Sequence, residues 1–146
     1  MTIAVDFDGT IVTHEYPAIG VERPFAIDTL KMLIRDQHKL ILWSVREGKL
    51  LDEAVEWCRE RGVEFYAVNR DYPEETTKNN PHFSRKLKVD LFIDDRNVGG
   101  LPDWGTIYRM VNERKGWEEL AAENKADQPA YGELDKKLKK KWWQFG

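Results

Sequence analysis

The stretch that decides the fold is residues 2–10, which read TIAVDFDGT. Its first four residues form a β-branched, apolar run without polar alternation, which is typical of a central parallel strand buried on both faces. The run ends at Asp6, and Gly9 gives the backbone the freedom for a tight turn. Asp6 and Asp8 straddle this turn. Because ligands bind at the carboxyl edge of parallel strands, the sequence indicates a functional site here.

Strand and helix patterns alternate along the rest of the chain. Apolar residues at helical spacing predict a first helix that begins at Pro24, a residue that suits the first turn. They predict a second helix over 50–58, which Gly62 ends. Further strands are predicted at 39–45, 63–68, 89–93 and, as a short fifth strand, 106–110. This alternation predicts an α/β domain with a mostly parallel, five-stranded sheet.

Length and composition exclude several classes of protein. A chain of 146 residues with 41% hydrophobic and 34% charged residues is neither disordered nor fibrous. No apolar run approaches the roughly 20 residues of a membrane helix, and one cysteine, Cys58, makes no internal disulfide. A net charge of -3 argues against broad binding to nucleic acids or membranes. We therefore expect a cytoplasmic protein.

The chain is expected to divide into a catalytic domain at 1–112 and a helical tail at 113–146. The tail pattern predicts two helices joined around Gln128-Pro129. Its end carries five lysines between 136 and 141, followed by Trp142, Trp143 and Phe145. These rings are too apolar to stay in water. We expect the tail to pack on the domain or on a partner subunit, which could make the protein a homo-oligomer.

Polar side chains mark the ends of other predicted strands. Ser44 ends the second strand, Lys86 stands just before the fourth, and Asp94 and Asp95 end the fourth. Taken singly, each has an ordinary explanation as a helix cap, a solvated cation or a turn. Together with Asp6 and Asp8 they place carboxylates, a hydroxyl and an ammonium at one sheet edge. Such a set suits a phosphate group beside a hard divalent cation such as Mg²⁺.

These motifs resemble those of the haloacid dehalogenase superfamily, most of whose members are magnesium-dependent phosphatases. The family carries D-x-D-x-T after strand one, here residues 6–10, then a Ser or Thr, a Lys and an acidic pair in the order found here. The resemblance covers residues 1 to about 110 and implies a Rossmann-like three-layer sandwich. Neither position at which larger members insert a cap domain has room for one, so the chain is similar to small, capless bacterial members.

The resemblance also implies a catalytic mechanism. Asp6 would attack phosphorus and form an aspartyl phosphate, which divides one difficult displacement into two easier ones. Asp8 would protonate the leaving oxygen and later take a proton from the hydrolytic water. Ser44 and Lys86 would hold the phosphoryl oxygens.

The same resemblance implies a metal site. Asp6 and Asp95 would hold Mg²⁺ through their side chains and Asp8 through its backbone carbonyl. Asp94 would be either a direct ligand or one that acts through water. Of the two acidic neighbours, Asp95 is the expected direct ligand, because it aligns with the aspartate of the G-D form of the motif.

Two further residues are candidates for substrate binding, Thr10 in the first motif and Arg46, two residues after Ser44. A guanidinium so close to a phosphate site could serve as a second clamp. An ion pair with Glu47 or with the carboxylates of the first loop is an equal alternative.

Three functions fit these residues. The leading hypothesis is a phosphatase that acts on a phosphorylated small molecule. Ser-x-Arg and Asp-Asp-Arg strings, here 44–46 and 94–96, also occur in polynucleotide 3′-phosphatase domains of the superfamily, so a nucleic-acid end is the second candidate substrate. A non-catalytic phospho-acceptor similar to a receiver domain is the third. Receiver domains carry their acidic pair after strand one and their lysine after strand five, an order that differs from this one.

Overall fold

The centre of the protein is a four-stranded parallel sheet. The computed structural model describes residues 1–76, 78–80 and 85–127. The strands are β1 (Thr2–Val5), β2 (Lys39–Leu42), β3 (Ala67–Val68) and β4 (Leu91–Ile93), arranged in the order β3-β2-β1-β4. Ile3, Ala4 and Val5 are at most 1% exposed. The structure therefore confirms the α/β class, the parallel pairing and the central, buried position of the first strand.

Within these described residues there are four helices: α1 (Ala26–Arg35), α2 (Gly48–Glu60), α3 (Trp104–Glu113) and α4 (Trp117–Asp127). The chain divides into two compact units, Met1–Tyr108 and Arg109–Gly146. The first unit contains the whole sheet, α1 and α2. In the second unit, Lys115 lies between the carboxylates of Glu113 and Glu123.

The predicted fifth strand is wrong, because residues 106–110 belong to α3. Asp103 begins that helix: its carboxylate accepts hydrogen bonds from the backbone N–H of Thr106 (2.9 Å) and from the Thr106 hydroxyl (2.6 Å). Trp104, Ile107 and Val111 are buried at helical spacing. Capping and a helical apolar stripe thus outweigh the strand preference of the β-branched and aromatic residues.

Other predicted boundaries also differ from the structure: β2 ends at Leu42 rather than at 45, and β4 begins at Leu91 rather than at 89. Only Ala67–Val68 of the predicted strand 63–68 pairs with the sheet. Pro24 lies outside α1, because Phe25 stands before the first helical turn in a left-handed conformation (φ 64°). Instead, the Glu22 carboxylate caps the start of the helix by accepting a hydrogen bond from the backbone N–H of Ile27 at 3.0 Å. The second helix ends before Gly62, which has φ 86°, as predicted.

The strand order places the carboxyl ends of β1 and β4 side by side. From β1 the chain runs to β2 and β3 on one side of the sheet, and it returns to β4 on the other side. The gap between β1 and β4 is therefore the point at which the strand order reverses, where ligands bind in open parallel sheets. The backbone N–H of Asp6 donates to the carbonyl of Ile93 at 2.9 Å and extends the pairing into this gap.

A hairpin-like segment, residues 13–22, follows the first motif and is called the flap below. Its two arms are joined by a hydrogen bond from the backbone N–H of Thr13 to the carbonyl of Val21, at 2.8 Å. The backbone N–H of Val21 donates in turn to the Thr13 hydroxyl, at 2.9 Å. At its base, the backbone N–H of Arg23 donates to the carbonyl of Ile11.

The expected first tail helix corresponds to α4, whereas the second tail helix, the lysine run and the terminal aromatic rings lie outside the described residues. In the part of the chain that the structure describes, no helix is long and apolar enough to cross a membrane.

Candidate metal and phosphate site

Three carboxylates meet where β1 and β4 end. Asp6 follows β1 directly, and Asp94 and Asp95 follow β4 directly. One oxygen from each lies within 4.8 Å of the other two. All three side chains are partly exposed, so an ion could reach them. The structure therefore brings together three of the side chains that the sequence predicted as a metal site.

The hydroxyl of Thr10 joins the two motifs. It lies 3.1 Å from an Asp6 oxygen and 3.0 Å from an Asp95 oxygen, and it accepts a hydrogen bond from the backbone N–H of Asp95 at 3.0 Å. The Trp104 indole N–H donates to the Thr10 carbonyl at 3.1 Å. Thr10 is completely buried. Its hydroxyl therefore orients the two carboxylates, and in this conformation it does not face a substrate.

Gly9 allows the two acidic motifs to approach each other. Its φ of 84° lies in the left-handed region that side chains other than glycine rarely adopt. A Cβ atom at this position would lie 2.4 Å from an Asp95 carboxylate oxygen. Both the turn and the close contact with Asp95 thus require glycine here.

The crowding of negative groups changes their protonation. Burial, a hydrogen bond with Asp95 and the nearby charge of Asp94 together raise the pKa of Asp6 from its usual 3.8 to about 7. Burial opposes ionisation of Asp95 as well, but hydrogen bonds from Asp6 and Thr10 outweigh it and lower the Asp95 pKa. Of the two carboxyl groups, Asp6 is therefore the one that is partly protonated near neutral pH, and its protonated form donates to Asp95.

This donor set fits a hard divalent cation. Its ligand atoms are carboxylate oxygens, without thiolate or imidazole, which is the preference of Mg²⁺ and Ca²⁺. After burial and the hydrogen bond with Asp95, the charge of Asp94 also contributes to the raised pKa of Asp6, and a cation would offset that charge.

Asp8 lies apart from this cluster, in an ion pair with Arg46. Both carboxylate oxygens accept from the guanidinium at 2.7 Å, one from Nε and one from Nη2. Arg46 is 0% exposed and Asp8 only 7% exposed. Of the alternatives for Arg46, the structure therefore shows the pair with a carboxylate of the first loop.

The remaining N–H groups of Arg46 are also used. They donate to the backbone carbonyls of Pro17 (3.2 Å), Ala18 (2.9 Å) and Leu50 (3.4 Å). A guanidinium carries five N–H donors, and all five are occupied here. In this conformation Arg46 has no donor left for the phosphate clamp that the sequence suggested.

Ser44 lies at the same sheet edge, two residues after β2 ends at Leu42. Its hydroxyl accepts a hydrogen bond from the backbone N–H of Arg46 at 3.1 Å. The side-chain amide of Asn69 binds both backbone groups of Ser44, accepting from its N–H (2.8 Å) and donating to its carbonyl (2.9 Å). The sequence reasoning missed Asn69. The signal was an asparagine directly after the third strand, where it can adopt its φ of 54°.

Lys86 is exposed and lies five residues before Leu91, where β4 begins. Its ammonium lies 5.8 Å from the centre of the Phe92 ring. Among the described residues it forms no ion pair. Lys86 therefore stands outside the carboxylate cluster in this conformation, with its charge available to an anion.

Comparison with known proteins gives one informative likeness. No protein-family model matches the chain, and neither does any curated protein. A solved structure of a conserved protein from Bacteroides thetaiotaomicron is 68% identical in sequence, with a TM-score of 0.77. The match covers 82% of this chain and 96% of that one. This chain therefore belongs to the same protein family as the conserved Bacteroides thetaiotaomicron protein.

Proposed function

We propose that the protein is a magnesium-dependent phosphatase, a capless member of the haloacid dehalogenase superfamily that hydrolyses a phosphomonoester. The observation that carries the proposal is the cluster of Asp6, Asp94 and Asp95 at the point where the strand order reverses. The D-x-D-x-T motif supplies one carboxylate of the cluster, and the acidic pair after β4 supplies the others. The order and spacing of these motifs agree with the superfamily.

Asp6 is the nucleophile in this proposal. One of its carboxylate oxygens attacks phosphorus in line while the bond from phosphorus to the leaving oxygen breaks, which gives an aspartyl phosphate and an alcohol. Water then attacks phosphorus, the bond to Asp6 breaks and inorganic phosphate leaves. Asp6 must be ionised for the first step, and its raised pKa means that a fraction of the molecules must lose a proton there before they react.

Asp6, Asp95 and the backbone carbonyl of Asp8 would hold Mg²⁺, with Asp94 as a further ligand, direct or through water. When bound, the ion neutralises charge on the phosphoryl group and on the carboxylates around it. The Thr10 hydroxyl, which contacts both Asp6 and Asp95, would orient the two carboxylates toward the ion.

Asp8 is the proposed acid and base. It protonates the leaving oxygen in the first step and accepts a proton from water in the second. It stands two residues after Asp6, and because both of its oxygens bind Arg46 in the described conformation, this role requires one of them to turn toward the substrate. Ser44 and the exposed ammonium of Lys86 would bind the phosphoryl oxygens.

A phosphorylated small molecule is the proposed substrate, in a cytoplasmic protein with the three-layer sandwich of the superfamily. Between Thr10 and Ser44 the chain holds the flap, α1 and β2, and between Ser44 and Lys86 it holds α2 and β3 with the loop that follows. These segments are short, so the carboxylate cluster is open to a substrate from solution.

The test is hydrolysis of p-nitrophenyl phosphate with added Mg²⁺ by the wild type and two matched variants. Asp6→Asn removes the nucleophile without changing volume. Asp52→Asn makes the same chemical change at an exposed position of α2. We expect the first variant to be inactive and the second to match the wild type. Turnover by Asp6→Asn near the wild-type rate would refute the proposed role of Asp6.

A further inference from the structure

The least expected feature of the molecule is the completely buried guanidinium of Arg46. It binds three segments of the chain: the first motif through Asp8, the flap through the carbonyls of Pro17 and Ala18, and α2 through the carbonyl of Leu50. A buried charge with every donor paired is held in place firmly, because each partner group would otherwise lose a strong hydrogen bond.

Aromatic rings complete the surroundings of this guanidinium. Its central carbon lies 5.3 Å from the centre of the Phe7 ring and 5.2 Å from the centre of the Tyr16 ring. Phe7 stands between the two aspartates of the first motif, and Tyr16 belongs to the flap. Rings at this distance attract a cation. The aromatic contacts therefore link Arg46 to the first motif and to the flap, two of the three segments that its hydrogen bonds also reach.

We propose that Arg46 is a positioning residue that couples the tip of the flap to the carboxylate of Asp8. The two carbonyls that hold the flap tip and the two oxygens of Asp8 share one rigid, planar group. A displacement of the flap tip therefore shifts the guanidinium, and the guanidinium shifts Asp8. The catalytic part of this inference rests on the proposed phosphatase function, in which Asp8 transfers protons.

The coupling predicts a specific kinetic signature for Arg46→Lys. An ammonium keeps the charge, but it cannot bind both Asp8 oxygens and three carbonyls at once. A misplaced acid slows departure of a strongly basic alkoxide much more than departure of p-nitrophenolate, which needs little protonation. We expect the ratio of kcat/KM for p-nitrophenyl phosphate to that for an alkyl phosphate to rise about 10-fold or more.

Arg59→Met is the matched control. The Arg59 guanidinium also binds one carboxylate through two N–H groups, that of Glu56 at 2.8 and 2.6 Å, but it is exposed and lies within α2. This variant should keep the wild-type ratio. If Arg46→Lys lowers kcat/KM by the same factor for both esters, Arg46 has only a structural role and the inference is overturned.

A second measurement tests the coupling without any reaction. In Arg46→Met/Asp8→Asn both members of the buried pair lose their charge together, so no unpaired charge remains inside. We expect hydrogen exchange at the backbone amides of Thr13 and Val21, which join the flap arms, to accelerate about 10- to 100-fold. Unchanged exchange in a variant that melts cooperatively would overturn the coupling.

The two measurements separate failure of this inference from failure of the proposed function. A wild-type chain that hydrolyses neither ester with Mg²⁺ present refutes the phosphatase, and the exchange rates alone then decide whether Arg46 holds the flap. A wild-type chain that hydrolyses both esters, combined with an unchanged ratio in Arg46→Lys, refutes the positioning of Asp8 and leaves the phosphatase standing.

Discussion

Replacing the proposed nucleophile should make the metal-free protein more stable. In the folded state burial, a hydrogen bond with Asp95 and the charge of Asp94 raise the Asp6 pKa to about 7, whereas an unfolded chain would show the usual 3.8. Above pH 7 the folded protein must therefore carry an unfavourable negative charge. Asp6→Asn removes that charge, and its amide N–H can still donate to Asp95 as the protonated carboxyl does.

The size and the sign of this effect follow from proton linkage. The full difference between the two pKa values corresponds to about 4 kcal/mol. Because Asp6 is partly exposed, solvent screening reduces the expected gain to about 2 kcal/mol at pH 8. A carboxyl group whose pKa is raised in the folded state contributes to the stability of the folded protein at low pH. This contribution to the free energy of unfolding is lost as the pH rises from about 4 to 7. The advantage of the variant should therefore shrink to about a third of its full value at pH 5.

Urea unfolding of the wild type, Asp6→Asn and the exposed control Asp52→Asn, each in a chelator at pH 5 and pH 8, measures this difference. We expect Asp6→Asn to be the most stable of the three at pH 8 and Asp52→Asn to match the wild type. Added Mg²⁺ should stabilise the wild type and leave Asp6→Asn nearly unchanged. A variant that is less stable than the wild type at pH 8 without metal would refute the account of the carboxylate cluster.

Four further predictions concern the metal site and the start of α3. Gly9→Ala should cost about 1 to 3 kcal/mol in urea unfolding, because its backbone conformation and the contact with Asp95 both exclude a methyl group. Asp103→Ala should lower the free energy of unfolding by about 1 kcal/mol through loss of the α3 cap, and an unchanged urea midpoint would contradict that role. Phosphatase activity should vanish in a chelator and return when Mg²⁺ is added. Ca²⁺ should restore it poorly, because its longer bonds misplace the nucleophile. Asp95→Asn should weaken Mg²⁺ activation more than Asp94→Asn does, because Asp95 is the expected direct ligand. Equal activation by both ions, or a larger effect of Asp94→Asn in the titration, would contradict these two expectations.

The sequence predicted the carboxylate cluster because its signals are local. An uninterrupted apolar run ending in an aspartate identifies a buried parallel strand and the residue at its carboxyl edge. Parallel pairing then brings such edges together, whichever strands happen to be neighbours. The sequence could therefore assign Asp6, Asp94 and Asp95 to one edge of the sheet, whereas their meeting in one cluster depends on β1 and β4 being neighbours.

The errors in the sequence reading arose where tertiary contacts decide the outcome. Residues 106–110 have strand-forming side chains, but the Asp103 cap and the burial of Trp104 hold them in a helix. The pair between Asp8 and Arg46 spans 38 positions, and no periodicity indicates it. From the sequence, Arg46 could either bind a phosphate group or form an ion pair. Only the fold shows which carboxylate it binds.

The most direct test of the central claim is to find the phosphoryl group on Asp6. Asp8→Asn should slow hydrolysis of the aspartyl phosphate, because no base then activates the water. The variant is mixed with p-nitrophenyl phosphate and Mg²⁺, quenched in acid and digested for mass spectrometry. We predict one added phosphoryl group on the peptide that contains Asp6, removable by hydroxylamine as expected of an acyl phosphate, and absent from the same digest of Asp6→Asn. A phosphoryl group on any other residue, or turnover by the wild type with no adduct in the Asp8→Asn digest, would contradict the claim that Asp6 is the nucleophile.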